Sequence, residues 1–524
     1  MTPLQKHRIK YRPSLPKALR ENVVFKGRGS TTALGDEKEI EAKFPKTFGR
    51  PLLHPEKGEK PLAKALKVGV VFSGGQAAGG HNVITGLFDA LKAFHRESQL
   101  IGFLGGPSGI IEGKTLELSE DLLQNYRNQG GFDLIGSGRT KIETKEQLEK
   151  SIEVFNQRLL DGVVIIGGDD SNTNAAILAE FALSKGCKTK IIGVPKTIDG
   201  DLKNNFVDIS FGFHSACNTY AEMIGNIARD SSSAKKYTHF IKLMGRSASH
   251  IALECALLTQ PNVTLIGEEI AEKKMTLKEI TNSLTDLIEK RGNQGKNYGV
   301  ILIPEGIIEF IPEMKVLISE LNTLLAEGKD QNALSFEAKA TFDFLPKEIA
   351  EQLLLDRDPH GNVQVSHIQT EILLSTLVKE ELKKRSSFKG KFSPLHHFFG
   401  YEGRAGLPTN FDATYCYTLG HIAALLIQGG DTGYMCAVSH LSKPPSQWEI
   451  CAIPITSLMN MEVRKGKEKP VIRKALVDLN GSAYKFFERN RRKWMEEDHY
   501  LFPGPIQFEG DPSFTDAPPK SLLI

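Results

Sequence analysis

The sequence lacks several features that mark particular classes of protein. No uninterrupted apolar run approaches the roughly 18 residues that cross a bilayer, so a membrane protein is not expected. Net charge is almost absent, with 66 basic against 63 acidic residues and a balance of +3, which argues against a dedicated nucleic-acid binder. With 40% hydrophobic and 25% charged residues, the composition excludes a disordered chain, a collagen and a coiled coil.

Metal and disulfide motifs are also missing. The six cysteines form no C-x-x-C pair and lie mostly in apolar segments, which is typical of buried, reduced thiols in a cytoplasmic protein. The histidines form no H-E-x-x-H motif and no cluster with cysteine, so no zinc site is predicted.

The first twenty residues carry six basic side chains and no acidic one. They lack the apolar core of a signal peptide. Pro3, Pro13 and Pro16 favour an extended arm that lies on the protein or on a partner. An organelle transit segment remains an alternative for this basic stretch.

Glycine is in excess, with 48 residues among 524, and many glycines directly follow short apolar runs. These runs read as buried strands, with helical patterns between them: Lys67–Ser73, Leu100–Leu104, Gly162–Ile166, Lys190–Val194, Thr238–Leu243 and Tyr298–Ile303. Strands that alternate with helices predict an α/β fold with mostly parallel sheets.

This pattern divides the chain into two Rossmann-like, three-layer α/β domains. We predict an irregular N-terminal extension over 1–65, a first domain over 66–235 and a second over 236–460, with 461–524 packing back on the domains. Apolar residues at helical spacing in Met314–Ala326 and Ile368–Leu382 predict a helical insertion over about 307–395.

The glycines and polar residues collect at the carboxyl ends of the predicted strands, where open parallel sheets bind ligands. Ser73-Gly74-Gly75 precedes a helix, and bare backbone N–H groups there can hold a phosphate. A plain tight turn is the alternative for any one of these glycines. Five such turns that also carry charged residues favour a binding site.

Two of these strand ends carry carboxylates. Asp169 and Asp170 are adjacent, so they repel each other unless a cation is near, and a carboxylate with phosphate oxygens is how Mg²⁺ is usually held. Helix capping is the alternative. After the next strand, Lys196, Thr197 and Asp199 combine a cation suited to a transferring phosphate with a carboxylate suited to accepting a hydroxyl proton.

The remaining strand ends carry arginine and glutamate. Arg246 and Arg404 can grip an anionic phosphate in fork geometry, and Glu305 can accept hydrogen bonds from sugar hydroxyls. Each of these residues alone would more often form a surface ion pair.

Taken in order, Ser-Gly-Gly, Gly-Gly-Asp, Thr-Ile-Asp, Met-Gly-Arg and Pro-Glu-Gly resemble the phosphofructokinase family. The resemblance covers about residues 66–508 and is nearest to the long, pyrophosphate-dependent branch. ATP-dependent members have glycine where this chain has Asp170 and Lys196. A carboxylate 4 Å from the α-phosphate of ATP would cost about 4 kcal/mol at an effective dielectric constant of 20, whereas diphosphate has no adenosine end to be repelled.

The resemblance implies reversible phosphoryl transfer from diphosphate to fructose 6-phosphate, with Mg²⁺ as cofactor. It assigns Gly75 and Lys196 to diphosphate, Asp169 to Mg²⁺, Asp170 and Lys196 to donor choice, and Asp199 to proton abstraction. It assigns the sugar phosphate to a larger set: Thr197, Asp199, Lys236, Tyr237, Met244, Gly245, Arg246, Glu305, Tyr401 and Arg404.

In the family a neighbouring subunit contributes to the site, so a homodimer or higher oligomer is expected. ATP-dependent members supply an arginine where this chain has Tyr237, preceded by Lys236, which weakens that assignment. Three alternatives stay open: an ATP-dependent phosphofructokinase, a non-catalytic regulatory subunit of the same enzyme, and a lipid or NAD kinase, which also uses Gly-Gly-Asp. The intact Thr-Ile-Asp-Gly-Asp segment argues against the regulatory subunit.

Overall fold

Strands with buried apolar residues form the framework of the protein. The computed structural model of the chain describes residues 1–58, 64–355, 363–464, 467–505, 509–516, 518 and 520–522. In chain order the strands are β1 (Val23–Arg28), β2 (Leu52–Lys57), β3 (Lys67–Ser73), β4 (Gln99–Phe103), β5 (Thr115–Glu117), β6 (Ser137–Gly138), β7 (Gly162–Gly167), β8 (Lys190–Pro195), β9 (Thr238–Leu243), β10 (Val263–Thr264), β11 (Gly299–Pro304), β12 (Pro394–Phe399), β13 (Tyr434–Ser439), β14 (Glu449–Pro454), β15 (Met459–Arg464) and β16 (Lys467–Ile472).

Helices lie between most of these strands. They are α1 (Pro3–Ile9), α2 (Glu37–Lys43), α3 (Gly80–Phe94), α4 (Pro107–Glu112), α5 (Glu120–Gln124), α6 (Lys145–Gln157), α7 (Asp169–Ser184), α8 (Phe213–Ala234), α9 (His250–Thr259), α10 (Gly267–Glu272), α11 (Leu277–Asn293), α12 (Pro312–Ala326), α13 (Phe336–Phe344), α14 (Lys347–Leu355), α15 (Thr370–Lys384), α16 (Asn410–Gly429), α17 (Ser482–Glu496) and α18 (Pro512–Thr515). Within the described ranges, none of these helices combines the length and the hydropathy that crossing a membrane requires.

The chain divides into two compact units, and the first consists of residues 1–216, 402–475 and 510–524. Its sheet has the strand order β1-β2-β14-β13-β8-β7-β3-β4-β5, with β6 also beside β3. The strands β13, β8, β7, β3 and β4 are parallel to one another. This is the doubly wound arrangement, in which the chain reverses its direction of travel across the sheet between β3 and β7.

Apolar residues cover both faces of the central strands. Val71, Val163 and Ile191 pack on one face with residues of α6 and α7, while Val70, Phe72 and Val164 point to the other face and are fully buried. Strands that are buried on both faces read as continuous apolar runs. The predicted strand Lys67–Ser73 is confirmed at both ends for this reason.

The second unit consists of residues 217–401 and 476–509. Its sheet is parallel, with the order β10-β11-β9-β12. The predicted helical insertion is confirmed: α12 and α15 bury leucine and isoleucine side chains in one core with α11 and α13. The predicted strand Thr238–Leu243 is likewise confirmed as β9.

The boundaries of the two units differ from the predicted domains. Residues 402–460, which we expected in the second domain, belong to the first unit, because β13 pairs with β8 and β14 pairs with β13. The extension over 1–65 is not irregular throughout, since β1 and β2 extend the first sheet beyond β14. The segment 461–524 is divided between the units, and residues 506–508 of its proline-rich part lie outside the described residues.

The basic arm at the N-terminus lies on the first unit and begins as a helix rather than as extended chain. Arg8 donates from Nη1 to Asn410 Oδ1 at 2.5 Å and from Nη2 to the Pro408 carbonyl at 2.7 Å. The Asn128 amide donates to the carbonyls of Arg8 and Tyr11. These contacts order the arm with specific hydrogen bonds instead of leaving it in solvent.

The helices α3 and α16 approach closely at two glycines. A methyl group on Gly86 would come within 2.3 Å of the Tyr417 carbonyl oxygen, and one on Gly420 would come within 2.3 Å of the Val83 carbonyl oxygen. Both obstacles are backbone atoms, which cannot rotate away. The absence of side chains therefore sets the distance between these helices.

We expect Gly86→Ala to destabilise the protein, although alanine is the better helix former. The gain from helix propensity is about 1 kcal/mol, whereas forcing a core apart typically costs about 1–3 kcal/mol. Thermal and denaturant unfolding should show a net loss of stability. An unchanged or raised midpoint would contradict the close approach, and Ser184→Ala, near the end of α7, serves as a helix control.

Candidate active site

The first sheet brings the candidate phosphate-binding residues to one place. Gly74 and Gly75 follow β3, and Asp169 begins α7 after β7. Because β3 and β7 are neighbours and parallel, their carboxyl ends lie side by side at the point where the chain reverses direction. This is the position at which doubly wound sheets bind ligands.

Gly74 and Gly75 leave room for cationic side chains. Gly74 has a φ of +86°, and a side chain there would come within 3.3 Å of Lys196 Nζ; one on Gly75 would come within 2.3 Å of Arg404 Nη1. The Gly74 amide donates to the Gly138 carbonyl, and Ser73 and Ser171 are hydrogen-bonded through their hydroxyls at 2.8 Å. The glycines thus let backbone and two cations share a small space, which suits a polyanion.

Lys196 is the buried cation of this group. Lys196 is only 5% exposed, and its backbone amide donates to the Gly167 carbonyl. Burial, together with the positive charge of Arg404, lowers the pKa of Lys196 to about 8, while Asp199 and Asp169 oppose that shift. An ammonium group with few water neighbours interacts strongly with a bound anion.

Asp169 and Asp170 begin α7, whose N-cap is Gly168. Burial raises the pKa of Asp169, and the nearby ammonium group of Lys474 opposes this shift. Lys141 Nζ lies 3.5 Å from Asp170 Oδ1. The N-cap residue is Gly168 and not either aspartate, so the prediction that one of them is the N-cap is wrong. Both carboxylates lie in the first turn of α7, where lysines and the helix dipole stabilise negative charge.

The segment after β8 presents Thr197 and Asp199. The Asp199 amide donates to Thr197 Oγ1 at 3.1 Å, and Ser210 Oγ donates to the Thr197 carbonyl at 2.9 Å. These bonds fix a tight turn that leaves Asp199 half-buried. Its carboxylate is close enough to Lys196 to favour the charged ammonium.

The second unit builds a separate cluster at the carboxyl end of its own sheet. Met244 follows β9, Glu305 follows β11 and Tyr401 lies just beyond β12, and these strands are neighbours. The Gly245 amide donates to Glu305 Oε1 at 3.3 Å. Gly245 has a φ of +117°, so this turn requires glycine.

Other residues of this cluster are exposed. Arg246 is exposed, with its backbone against Gly306, and Tyr401 is 70% exposed. Their side chains are therefore accessible to a ligand, while Glu305 is buried and fixes the turn that carries Arg246.

Two predicted residues lie away from this cluster. Lys236 and Tyr237 precede β9, whereas Met244 follows it, so the strand separates them by roughly 20 Å at about 3.3 Å per residue. Arg404, which the sequence groups with Arg246, belongs to the first unit and lies beside Gly75. The structure therefore does not bring the predicted sugar-phosphate set together within one unit.

Sequence reasoning missed several residues of the first cluster. Asn172 donates from Nδ2 to the carbonyls of Gly167 and Gly168, at 2.7 and 2.9 Å, and so fixes the end of β7. Arg139 follows β6 and lies near Gly75 and Lys196. Lys474 comes from a distant part of the chain, and no local pattern marks it.

The carboxylates fit a Mg²⁺ ion that is held jointly with a ligand. Among the residues that the structure describes, no three His, Cys, Asp or Glu side chains form a metal-binding group. Asp169 and Asp201 nevertheless share one cation, because Lys474 Nζ lies 3.8 and 3.2 Å from their oxygens. Mg²⁺ commonly takes one or two carboxylates and completes its shell with water and phosphate oxygens.

Fold and site together define an α/β protein with two clusters suited to phosphate groups, each at the carboxyl end of a parallel sheet. The sequence profile of the phosphofructokinase family matches residues 67–427. The chain belongs to the phosphofructokinase family.

Two curated relatives match nearly the whole chain, and a solved structure matches most of it. The chain is 52% identical over 552 aligned residues to the pyrophosphate–fructose 6-phosphate 1-phosphotransferase of Treponema pallidum, covering 99% of this chain and 96% of that protein. It is 51% identical to subunit beta 2 of the enzyme of the same name from Arabidopsis thaliana, covering 99% and 93%. A crystal structure of the pyrophosphate-dependent phosphofructokinase from Nitrosospira multiformis has a TM-score of 0.56 at 18% identity, covering 85% and 95%, and supports the fold.

The lowered pKa of Lys196 predicts a pH dependence. The ammonium is charged below about pH 8 and loses its proton above it, so kcat/KM for a polyanionic donor should fall as the pH rises through that value. Measured pH profiles of the wild type and of Lys196→Arg should diverge on the alkaline side, because arginine stays charged. Superimposable alkaline limbs would contradict the prediction, and comparing the two proteins removes the substrate's own titration.

Proposed function

We propose that the chain transfers a phosphoryl group reversibly from diphosphate to fructose 6-phosphate. The products are fructose 1,6-bisphosphate and phosphate, a reaction of glycolysis and gluconeogenesis. The observation that carries this proposal is the identity of 52% over 99% of the chain with a relative named for this activity. The cationic cluster at Gly74, Gly75 and Lys196 supports it, because it is suited to a small polyanion.

Catalysis rests on position and charge, as is general for phosphoryl transfer. The backbone of Gly75 binds diphosphate, and Lys196 offsets the charge that develops on the transferring group. Asp199 accepts the proton of the 1-hydroxyl as the sugar oxygen attacks the phosphorus atom in line. Asp169 would help to hold Mg²⁺, and the ion would supply positive charge that offsets part of the donor's negative charge.

The acceptor's phosphate is assigned to residues that the family pattern marks. Arg246 supplies an exposed cation, and Tyr401 supplies an exposed hydroxyl. Met244 and Gly245 form the turn that Glu305 fixes. Thr197 and Arg404 complete the set in the first unit. Lys236 and Tyr237 would act on the site of a neighbouring copy, since β9 holds them at the far end from Met244 in their own chain; this assignment requires a homodimer or a larger oligomer.

Asp170 is proposed to set the choice of donor. Its carboxylate lies next to Asp169 at the start of α7, where the α-phosphate of ATP would meet a negative charge and a side chain in place of glycine. Diphosphate avoids this repulsion. An ATP-dependent phosphofructokinase is the alternative.

The proposed enzyme acts in the cytoplasm on small substrates. The six cysteines all carry free thiols, and five of them are buried, which supports a reducing compartment.

Asp199→Ala should lose most of kcat while fructose 6-phosphate still binds, because general-base catalysis typically contributes about 10²–10⁴-fold. Steady-state kinetics and calorimetric titration with the sugar phosphate measure the two effects. Lys203→Met, an exposed change in the same segment, should retain turnover. Near-normal turnover by Asp199→Ala would remove the proposed role of this carboxylate.

The double variant Asp170→Gly with Lys196→Gly should gain the use of ATP and lose the use of diphosphate. Asp170→Asn is the matched single change, since it removes the charge and keeps the bulk. Rates with both donors at fixed Mg²⁺ decide between charge and size. A double variant that still strongly prefers diphosphate would show that donor choice resides elsewhere.

A further inference from the structure

Lys474 lies close to the end of the chain, far in sequence from Asp169, the predicted Mg²⁺ ligand. Its ammonium group nevertheless forms an ion pair with this carboxylate. Its Nζ lies 3.8 Å from Asp169 Oδ2 and 3.2 Å from Asp201 Oδ2. The side chain is 28% exposed, so it is partly covered but still reaches solvent. Both carboxylates belong to motifs that the family pattern marks, whereas Lys474 belongs to none of them.

Hydrogen bonds on both sides of Lys474 fix its backbone. The Ile472 amide donates to Thr173 Oγ1 at 3.2 Å, and Thr173 is the fifth residue of α7. The Ala475 amide donates to the Asp201 carbonyl at 2.8 Å. The segment that carries Lys474 is therefore attached to both of the elements that present the carboxylates, and its side chain is directed to the gap between them.

A phosphate that shared a metal ion with Asp169 would lie near Lys474. Mg²⁺ binds oxygen at about 2.0–2.1 Å, so a phosphate oxygen on the same ion as an Asp169 oxygen lies within about 4 Å of that oxygen. Lys474 Nζ lies 3.8 Å from Asp169 Oδ2. A lysine has a flexible stem and three donors, so a small rotation carries its ammonium from carboxylate to phosphate.

Charge balance favours that movement. Lys474 offsets part of the negative charge of Asp169 and Asp201, and a divalent cation that bound at Asp169 would repel the ammonium. The bound diphosphate, in contrast, attracts it. Lys196, Arg404 and Arg139 lie on the Gly74–Gly75 side of the cluster, so Lys474 adds a cation on the side of the carboxylates.

We propose that Lys474 is a donor-binding residue: its ammonium pairs with Asp169 and Asp201 in the free protein and contacts a phosphoryl oxygen of Mg²⁺-diphosphate when the donor binds. The proposal rests on the proposed function. It extends the donor site to a segment that follows β16 and predicts that the C-terminal part of the first unit acts in binding as well as in packing.

The test compares Lys474→Met with Lys474→Arg and with Lys469→Met. Lys469 lies on β16, five residues before Lys474, and pairs with Glu143 at 2.8 Å. Its removal therefore deletes a nearby lysine ion pair without changing the contacts of Asp169 and Asp201. Calorimetric titration of each full-length protein with diphosphate at fixed Mg²⁺, without sugar phosphate, gives the dissociation constant of the donor. Thermal shift with Mg²⁺ alone reports the carboxylates separately.

We expect Lys474→Met to weaken diphosphate binding about ten- to a hundredfold, the range of one charge-assisted hydrogen bond, and to leave KM for fructose 6-phosphate within about twofold. Lys474→Arg should recover most of the affinity, and Lys469→Met should bind as the wild type does. The shift caused by Mg²⁺ alone should persist or increase in Lys474→Met, because a competing cation has been removed.

Two results would overturn the proposal. One is an unchanged diphosphate affinity in a folded Lys474→Met protein whose melting temperature is lowered, which would make the contact a structural ion pair only. The other, available if Lys474→Met does not fold, is a wild-type affinity in Lys474→Gln. Failure of the proposed function itself would look different, since the wild type would then bind no diphosphate under the same conditions.

Discussion

A lysine ammonium held almost out of water is the constraint around which the first unit is organised. Burying a cation is costly unless opposite charges or a ligand compensate for the lost hydration. Lys196 has Asp169 and Asp199 for this purpose, but Arg404 and Arg139 oppose it. The balance leaves an excess of positive charge among these groups, which is why we propose a polyanion as the ligand.

The parallel sheets explain how so many charges meet. In each unit the parallel strands end along one edge of the sheet, and the candidate site residues follow those ends: after β3, β7 and β8 in the first unit, and after β9, β11 and β12 in the second. The buried strands are held by the sheet and by apolar packing, and they fix the positions at which the turns begin. Glycine appears where backbone has to approach backbone or a cation, as at Gly75 and Gly306.

The local sequence was sufficient to predict several strands and helices, but not which strands pair with one another. The bounds of β3 and β9 could be predicted because each is a short, mainly apolar run that ends within two residues of a glycine. The pairing of β13 with β8 could not be predicted, because the sequence of a single strand does not indicate which other strand it hydrogen-bonds to. The domain boundaries were misplaced for the same reason. Lys474 and Asn172 were missed because their roles depend on neighbours rather than on a motif, although Asn172 lies only three residues after Asp169.

The discontinuous first unit has a consequence for synthesis on the ribosome. Residues 217–401 have to be made before the chain supplies α16 and β13, which takes on the order of ten seconds or more at 5–20 residues per second. During that interval the backbone of β8 lacks its native neighbour β13, and the face of α3 that later packs on α16 is uncovered. Nascent chains with open strands and apolar surface are the usual clients of chaperones, and the order of the segments makes this waiting period unavoidable.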